Sequence, residues 1–515
     1  MRSARRHPAA RRRLAPLVSL AALSLLASAC GSRLTGHDAA LAQGASAGRA
    51  SGSGNTGSGG ALASGSAGGT TTTVAAVAGA AAGGATGAGG TGAAGGHTTT
   101  TVATAGGTTS GGGASPAAAA AASCGAEGNV TPAGGNGGAT ATGVTATTIT
   151  VGNIASISGV APGLTQSAQQ ATEAWAAYVN STGGICGRQV KVQPFDDGND
   201  SGTNYADAEQ ACSSDFAMVG NASGFDDGGA QAVASCGIPD MAAEVSTAAA
   251  GETADIFGAS PGNSHYYQLG PAEYLKATYP NAVTHAAEVY LNVSATQSEA
   301  DDEVAAYKSV GFNYVYDEAT TPTNANYASI VQAMQSAGAQ YVTEYSDDNS
   351  AERMLQAMQQ ANYTPQVVDW ISEEYSPQFA QQTSPESNGD LVLMSATAAY
   401  EEAGSNPGLQ LMESWMNRVA PGYHQDIFAM LAWSAGLAFE QAAKEVGPDL
   451  TRPALIAKLQ GITNWTGGGV TPPVNIGQKI PSNCFFYMKI ENGAFQRVYP
   501  SAPDTYDCNG GLYQY

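Results

Sequence analysis

The feature that most constrains this chain is an alternation of strand and helix patterns that begins at Thr145. Short runs rich in β-branched and aromatic residues predict strands, and the segments between them have the apolar spacing of amphipathic helices. Repeated βα units predict parallel sheets with helices on both faces. The predicted strands are residues 149–154, 190–195, 216–220, 286–293, 314–316, 341–345 and 366–371, and the predicted helices are residues 167–180, 205–213, 301–310, 327–337 and 351–361, with a further helix ending at residue 236.

The alternating region extends over about 370 residues, which is more than one hydrophobic core normally serves. We therefore expect an α/β protein with two Rossmann-like lobes. In open α/β sheets, ligands bind beyond the carboxyl ends of the strands. Two such lobes facing each other predict a ligand cleft between them.

The N-terminus has the pattern of a secretion signal. Residues 1–13 contain six arginines and no acid, and residues 14–29 form an apolar run. That run is shorter than the roughly 20 residues of a membrane span, and it fits a signal peptide. Three small residues precede Cys30 and resemble a lipobox, so we expect a lipid on Cys30 that anchors the chain to the outer face of the cytoplasmic membrane. Ordinary secretion, with loss of Cys30, is the alternative.

A long low-complexity segment follows the signal. Residues 31–142 consist almost entirely of Gly, Ala, Ser and Thr and contain no aromatic residue. Such a segment cannot bury enough apolar surface to offset its chain entropy, so we expect it to be disordered. The 93 residues of 31–123 would have a root-mean-square reach of about 50–60 Å. This reach favours a tether, whose Thr and Ser residues are also candidate glycan sites.

The charge of the chain is strongly asymmetric. It has 20 Lys and Arg against 42 Asp and Glu, and the part from Cys124 onward has 12 basic and 41 acidic residues, a net charge of −29. Such a surface repels phosphate backbones, which argues against nucleic acid as a partner.

Six cysteines remain besides Cys30, and an even number outside the cytoplasm predicts disulfides. Six cysteines allow 15 connectivities in principle, and zinc binding is the alternative, although the sequence has neither a CxxC nor an HxxxH pair. Two cysteines end successive predicted helices and two flank the last strands, so we favour pairing within each of these sets. The favoured pairs are Cys124–Cys186, Cys212–Cys236 and Cys484–Cys508.

Several segments together resemble a known family. Residues 148–158 (TITVGNIASIS), the turn at residues 183–188 (GGICGR) and the strand ending in residues 195–197 (FDD) resemble the start of a type I periplasmic solute-binding protein. The most similar group is the branched-chain amino-acid binding type, which serves ABC importers. Residues 423–440 (YHQDIFAMLAWSAGLAFE) resemble a late helix of that family, which packs in the first lobe. The resemblance covers roughly Thr145 to the C-terminus.

This resemblance implies two discontinuous lobes joined by three crossovers and a hinge. The first lobe would comprise residues 145–264 and 397–466, and the second would comprise residues 265–396 and 467–515. It also implies a monomer that captures a small polar metabolite, an amino acid or related compound, by lobe closure and delivers it to an ABC permease. No cofactor or metal is expected.

In this family the ligand contacts come from loops that follow strands, and three such loops lie in the first lobe. Ser158 follows the first predicted strand. Ser223 and the backbone N–H of Gly224 follow the third and could donate to an anionic group, with Phe225 as a stacking wall. Ser223 is equally suited to cap the next helix. The resemblance places a further strand just before residues 243–247, and Ser246 lies in this loop, where the family holds a ligand carboxylate through a hydroxyl. Gly224 and Phe225 interrupt the family's run of hydroxyl residues at this position. A plain α-amino acid is therefore a less suitable ligand for this chain than for the family.

The predicted second lobe contributes acids and an amide. Asp347 and Glu373 each follow a predicted strand, and a carboxylate there could pair with a ligand ammonium. The alternative for both is a solvated loop or a helix start. Asn292, near the end of residues 286–293, is a further candidate.

Enzyme signatures are weak. The segment Gly220–Gly224 has its serine one place late for a G-x-S-x-G elbow. The loop Asp196–Asp200 superficially resembles a calcium loop, but residue 207 is Asp where that loop needs Glu. We therefore expect a non-enzymatic transport receptor, and a ligand-sensing or scaffold lipoprotein of the same fold without an importer is the alternative.

Overall fold

A computed structural model describes residues 124–262 and 265–515. The predicted signal, the lipidation site Cys30 and the predicted tether up to residue 123 lie outside the described residues. The prediction of disorder was wrong for residues 124–142, because the disulfide from Cys124 to Cys186 and hydrogen bonds such as that from Arg188 to Gly138 hold this segment in place. Within the described ranges, no helix combines the length and the apolar character needed to cross a membrane.

The first lobe is built on a five-stranded sheet in the order β2-β1-β3-β4-β5, and every neighbouring pair in it is parallel. Its strands are mostly buried, as expected of a parallel sheet covered on both faces. They are β1 Thr148–Ala155, β2 Gln189–Asp196, β3 Ala217–Val219, β4 Asp240–Val245 and β5 Ile256–Pro261.

Helices from two separate stretches of chain pack on this sheet. Those between its strands are α1 Gln166–Ser181, α2 Ser201–Ser214, α3 Asp226–Cys236 and α4 Ala248–Glu252. Much later in the chain come α10 Pro407–Val419, α11 Ile427–Val446 and α12 Arg452–Leu459.

The long helix α11 is buried along almost its whole length and packs against α1. A Cβ at Gly436 would lie 2.4 Å from Cγ of Trp175, so only glycine allows the two helices this close. The indole of Trp175 meets the ring of Phe439 edge-on, with centroids 5.7 Å apart. Packing of small and aromatic residues therefore forms the centre of this lobe.

The second lobe has a seven-stranded sheet in the order β13-β12-β11-β10-β9-β7-β8. Its first five strands in the chain pair in parallel, whereas β12 and β13 add an antiparallel edge. The strands are β7 Ala286–Leu291, β8 Tyr314–Thr320, β9 Tyr341–Tyr345, β10 Val367–Trp370, β11 Leu391–Met394, β12 Phe486–Glu491 and β13 Ala494–Tyr499.

Five helices and a small second sheet complete this lobe. The helices are α5 Gly270–Thr278, α6 Ser294–Val310, α7 Ala328–Ala337, α8 Asp348–Ala361 and α9 Pro377–Gln382. The small sheet pairs β6 Tyr266–Gln268 with β14 Leu512–Gln514.

The chain passes between the two sheets three times. It leaves the first lobe after β5, returns after β11 to form α10 to α12, and enters the second lobe again before β12. These three crossovers form the hinge between two α/β lobes.

The segment before β1 is fastened to the first lobe by Arg188, whose side chain is fully buried. Its guanidinium donates to the carbonyl oxygens of Thr145 at 2.9 Å, Gly138 at 3.1 Å and Pro448 at 3.1 Å. Disulfides join Cys124 to Cys186, Cys212 to Cys236 and Cys484 to Cys508, the same pairs that the sequence favoured.

Several element boundaries differ from the predictions; β8 continues to Thr320 rather than to residue 316, and α6 begins at Ser294 rather than at residue 301. The helix expected from Tyr423 begins only at Ile427, because the Asp426 side chain accepts the N–H of Ala429 at 3.0 Å and caps the helix there. Glu244, expected in the loop after the fourth strand, still belongs to β4.

Candidate functional site

The two lobes enclose a cavity of about 120 Å³, which we call the inner chamber. The ends of β4, β9, β10 and β11 all reach it, so it lies beyond the carboxyl ends of strands from both sheets. It is lined by Glu244, Ala259, Ser260, Pro261, Gly262, Tyr266, Tyr267, Gln268, Glu299, Asp302, Tyr345, Ile371, Ser372, Glu373, Leu393, Ser395, Ala396, Val474, Pro481 and Ser482.

All three crossovers contribute to the chamber wall. Gly262 follows β5, Ser395 follows β11, and Ser482 precedes β12. A Cβ at Gly262 would lie 2.3 Å from the carbonyl oxygen of Val245, so the first crossover needs glycine to pass this close to β4. The chamber therefore lies at the hinge itself.

Three glutamates from different elements meet at the chamber: Glu244 on β4, Glu299 on α6 and Glu373 in the turn after β10. Burial and repulsion from Glu373 raise the pKa of Glu244 well above its ordinary value. Burial and repulsion from Glu244 do the same to the pKa of Glu299. Burial also raises the pKa of Glu373, to about 7. Burial and mutual repulsion thus disfavour simultaneous ionisation of these carboxyl groups.

Tyrosine hydroxyls and a buried carboxyl group form a network behind one wall. The hydroxyls of Tyr267 and Tyr345 are 2.6 Å apart, and Tyr345 donates to Oε2 of Glu303 at 2.9 Å. Tyr314 donates to Oε1 of the same carboxyl group at 3.4 Å. Burial raises the pKa of Glu303 to about 7, against the opposing effect of these hydrogen bonds. The network holds the two wall tyrosines in place.

A second cavity of about 290 Å³, which we call the outer chamber, also lies between the lobes. Glu373 lines both chambers. His424 lines the outer chamber, with its Nδ1 3.2 Å from Oδ2 of Asp426. The hydrogen bond with Asp426 raises the pKa of this histidine. The other lining residues are Ala161, Pro162, Gly163, Leu164, Gln166, Ser346, Asp347, Asp348, Asn349, Gln378, Gln382 and Phe428.

The lobes touch at a further place, which we call the rim contact. The hydroxyl of Ser294, at the start of α6, lies 3.1 Å from the carbonyl oxygen of Gly224 and 2.9 Å from Oδ1 of Asp227. The backbone N–H of Ala295 donates to the same carbonyl at 3.3 Å. These bonds join the loop after β3 in the first lobe to α6 in the second.

A family profile described as periplasmic binding protein matches residues 148–494, which is more than half of the chain. The chain belongs to the periplasmic binding protein family. Its fold is the type I form of that family, with branched-chain amino-acid and other ABC transporter substrate-binding proteins as structural neighbours. No curated protein matches the sequence.

Solved structures show the same fold at low sequence identity. A fatty acid ABC transporter substrate-binding protein from Thermomonospora curvata has a TM-score of 0.61 and 18% identity, covering 73% of this chain and 100% of its own. A leucine binding protein from Thermotoga maritima has a TM-score of 0.58 and 11% identity, covering 68% of this chain and 97% of its own. A solute binding protein from R. palustris in complex with benzoate has a TM-score of 0.57 and 16% identity, covering 69% and 97%.

In this binding protein, two of the predicted ligand residues line the chambers, and a third is buried next to one of them without lining it. Glu373 lines both chambers and Asp347 lines the outer one, where its carboxylate also caps α8 through the N–H of Asn349 at 3.0 Å. Ser246 is buried beside the inner chamber and hydrogen-bonds with the carboxyl groups of Glu244 and Glu299. Their roles in ligand binding stay predictions.

The predicted residues after β3 take part in contacts within and between the lobes. Ser223 donates to Oδ2 of Asp197 and accepts the N–H of Phe225 at 3.0 Å. Gly224 supplies the carbonyl of the rim contact. Phe225 is the residue before α3 and is partly buried. None of these three lines either chamber.

Two predicted residues lie away from the chambers. The backbone N–H of Ser158 donates to Oδ1 of Asp196 at 3.0 Å, in the loop that resembled a calcium site. The backbone N–H groups of Ile157 and Gly198 donate to the same oxygen. The first carboxylate of this loop therefore accepts hydrogen bonds from the backbone around it. Asn292 is exposed, and its backbone N–H donates to Thr320. Across the described residues, no group of His, Cys, Asp and Glu is arranged to hold a metal ion.

Sequence reasoning missed several chamber residues. Glu299 lies inside a helix, and Tyr267 and Gln268 lie on β6, which no local pattern predicted. The sequence does contain a pattern that indicates Glu299. One face of this helix carries Ala295, Glu299 and Asp302, so two acids lie on the same face as a buried alanine.

Proposed function

We propose that this protein is the extracytoplasmic solute-binding component of an ABC importer and has no enzymatic activity. It captures a small polar solute, an amino acid or related amine, in the inner chamber by closure of the two lobes. The observation that supports this most is a chamber walled by both lobes and by all three crossovers. A volume of about 120 Å³ is below the range of roughly 300–1,000 Å³ that drug-sized ligands occupy, so it suits a compact solute.

Within this proposal, Glu373 and Ser246 contact or orient the solute, and Asp347 faces it on the way in through the outer chamber. Ser223 and Gly224 act indirectly, since they shape the loop that makes the rim contact with Ser294. Closure forms the rim contact and buries the solute, and opening breaks it. Such hinge closure around a ligand is a common switching motion in binding proteins.

The same proposal assigns roles to the N-terminal segment and to the membrane partner. Cys30 carries the lipid, and the stretch that follows tethers a monomeric binding domain to the outer face of the cytoplasmic membrane. A permease in that membrane is the partner that receives the solute.

Solute capture is tested by heating the full chain with panels of amines, amino acids, neutral polar compounds and carboxylates, and by solution X-ray scattering of any pair that shows stabilisation. A solute at 100-fold its Kd should add about 2.7 kcal/mol to the free energy of unfolding. Scattering should show a smaller radius of gyration with the solute. If no compound class stabilises the chain or contracts it, the proposal is wrong.

The importer role is tested separately by uptake. Cells that lack this gene should lose uptake of the labelled solute identified above, and the wild-type gene should restore it. A variant with Cys30→Ala should restore less, because the proposed anchor is gone. Unchanged uptake in the deletion strain would instead favour a sensing protein of the same fold.

A further inference from the structure

The polar lining of the inner chamber has a single sign of charge. Glu244, Glu299, Asp302 and Glu373 all face it. Among the described residues that line it, none is lysine, arginine or histidine. In the same described part of the chain, no ion pair involves Glu244, Glu299 or Glu373. The lining therefore contains four acidic side chains and no basic side chain.

The pKa values of the glutamates agree with this imbalance. Burial raises the pKa of each, and repulsion from the other carboxylates is the next contribution for Glu244 and Glu299. A nearby positive charge would act in the opposite direction, and no cationic side chain contributes to the pKa shift of either group. A cation in the chamber would therefore favour the ionised form of these carboxyl groups and oppose their mutual repulsion.

A second observation is independent of the acids. Gln268 lines the chamber, and its Oε1 is buried without a hydrogen-bond partner. Buried polar atoms nearly always have a partner, so this oxygen marks a place for an additional N–H or O–H donor. The rest of the wall is aromatic and aliphatic and includes Tyr266, Tyr345, Ile371 and Leu393.

We infer that the inner chamber binds a compact organic cation, an ammonium or amidinium compound with a short apolar part and no carboxylate of its own. This inference rests on the proposed function and narrows its solute class. The cation supplies several N–H donors to the glutamates and to Oε1 of Gln268, and its positive charge offsets their repulsion. Tyrosine faces favour a cation as well.

An anion or a zwitterion fits this lining less well. Its carboxylate would enter a space that already holds four acidic side chains, and no cationic side chain of the lining could pair with it. Burying an unpaired carboxylate is costly. Charge thus selects against acids and favours amines.

The test compares three probes of similar shape by isothermal titration on the full chain at about pH 8, above the pKa of about 7 of Glu373. These probes are 1,4-diaminobutane, 1,4-butanediol and butanedioate, and shorter alkyl diamines extend the amine series. We expect a diamine to bind about a hundredfold more tightly than the matching diol, and butanedioate not to bind.

Single substitutions then locate the site. Glu373→Gln and Glu244→Gln should each weaken diamine binding by about tenfold or more, while Glu252→Gln, an exposed acid outside the chamber, should not. Loss of binding through misfolding is distinguishable, because removing one charge from a repelling cluster should leave the melting temperature of the free chain unchanged or higher.

The outcomes separate the two proposals. Binding of the diol or the dicarboxylate but of no amine would overturn the cation inference and leave solute capture intact. Amine binding that Glu373→Gln and Glu244→Gln do not affect would also overturn it. If no amine binds and no other compound class closes the lobes, both proposals are wrong.

Discussion

The two lobes share an α/β plan but differ in what fills their interiors. The first lobe packs the fully buried helix α11 against α1, with Trp175 and Phe439 between alanines and Gly436. The second lobe places buried carboxyl groups among tyrosine hydroxyls. Oδ2 of Asp369 accepts from Tyr341 at 3.1 Å and from Tyr487 at 3.0 Å.

This difference separates two sources of stability. Close packing of apolar groups is largely independent of pH. Buried carboxyl groups are stable mainly when protonated, so their contribution changes as they titrate. The lobe with more buried acids, the second, should therefore control the pH dependence of the whole fold.

The largest effect should come from the packed first lobe. Trp175→Ala removes a fully buried indole and should lower the free energy of unfolding by about 3–5 kcal/mol, measured by urea denaturation. Trp415→Ala on α10, where the indole is only partly buried, is the matched control and should cost clearly less. If both variants lost the same free energy of unfolding, burial of the indole would not determine the loss of stability in this lobe.

The disulfides allow a direct comparison of the lobes, because Cys212–Cys236 and Cys484–Cys508 each span 24 positions of sequence. Replacing either pair by serines should lower the free energy of unfolding by roughly 3 kcal/mol if restriction of the unfolded chain dominates. Both double variants are compared by chemical denaturation. A difference of more than about 1 kcal/mol between them would instead indicate a contribution from the folded lobes.

The pH dependence should come mainly from the second lobe. Burial, with repulsion from Glu303, raises the pKa of Asp369 to about 8. The folded protein therefore holds a proton that the unfolded chain releases at lower pH, and the free energy of unfolding falls as pH rises from about 4 to about 8.

Asp369→Asn should remove up to about 1.4 kcal/mol per pH unit from that slope, as measured by denaturation at several pH values. The exposed Glu252→Gln should leave the slope as it is in the wild type. An unchanged slope in the Asp369 variant would place the titrating groups elsewhere.

The smallest effect should come from the rim contact between the lobes. Ser294→Ala removes its hydroxyl bonds to Gly224 and Asp227 and should favour the open form by about 1 kcal/mol. Scattering should then show a larger mean radius of gyration. Ser309→Ala, near the other end of α6, loses only a bond to its own helix and should not alter the radius.

The sequence predicted the regular part of the fold well, because strand and helix periodicity are local properties. It predicted the start of α11 wrongly, since the cap by Asp426 is decided by one side chain. It could not predict β6, which exists only by pairing with β14, about 245 positions later. Pairing between such distant segments has no local pattern.

The candidate site was only partly predictable for the same reason. Glu373 follows a strand, and the rule that ligands bind beyond strand ends was enough to select it. Glu299 and Gln268 reach the chamber from a helix and from the small sheet. Whether these two side chains line the chamber depends on how the two lobes face each other across the hinge. The local sequence pattern does not specify that arrangement.

Because the chain crosses three times at the chamber wall, a solute bound there would occupy the pivot between the two lobes. A solute at this position would fix the distance between the crossovers. A displacement of a fraction of an ångström at Gly262 or Ser395 would produce a larger displacement at the distant edges of both lobes. A membrane partner that binds those edges would therefore distinguish the solute-bound protein from the free protein without contacting the solute.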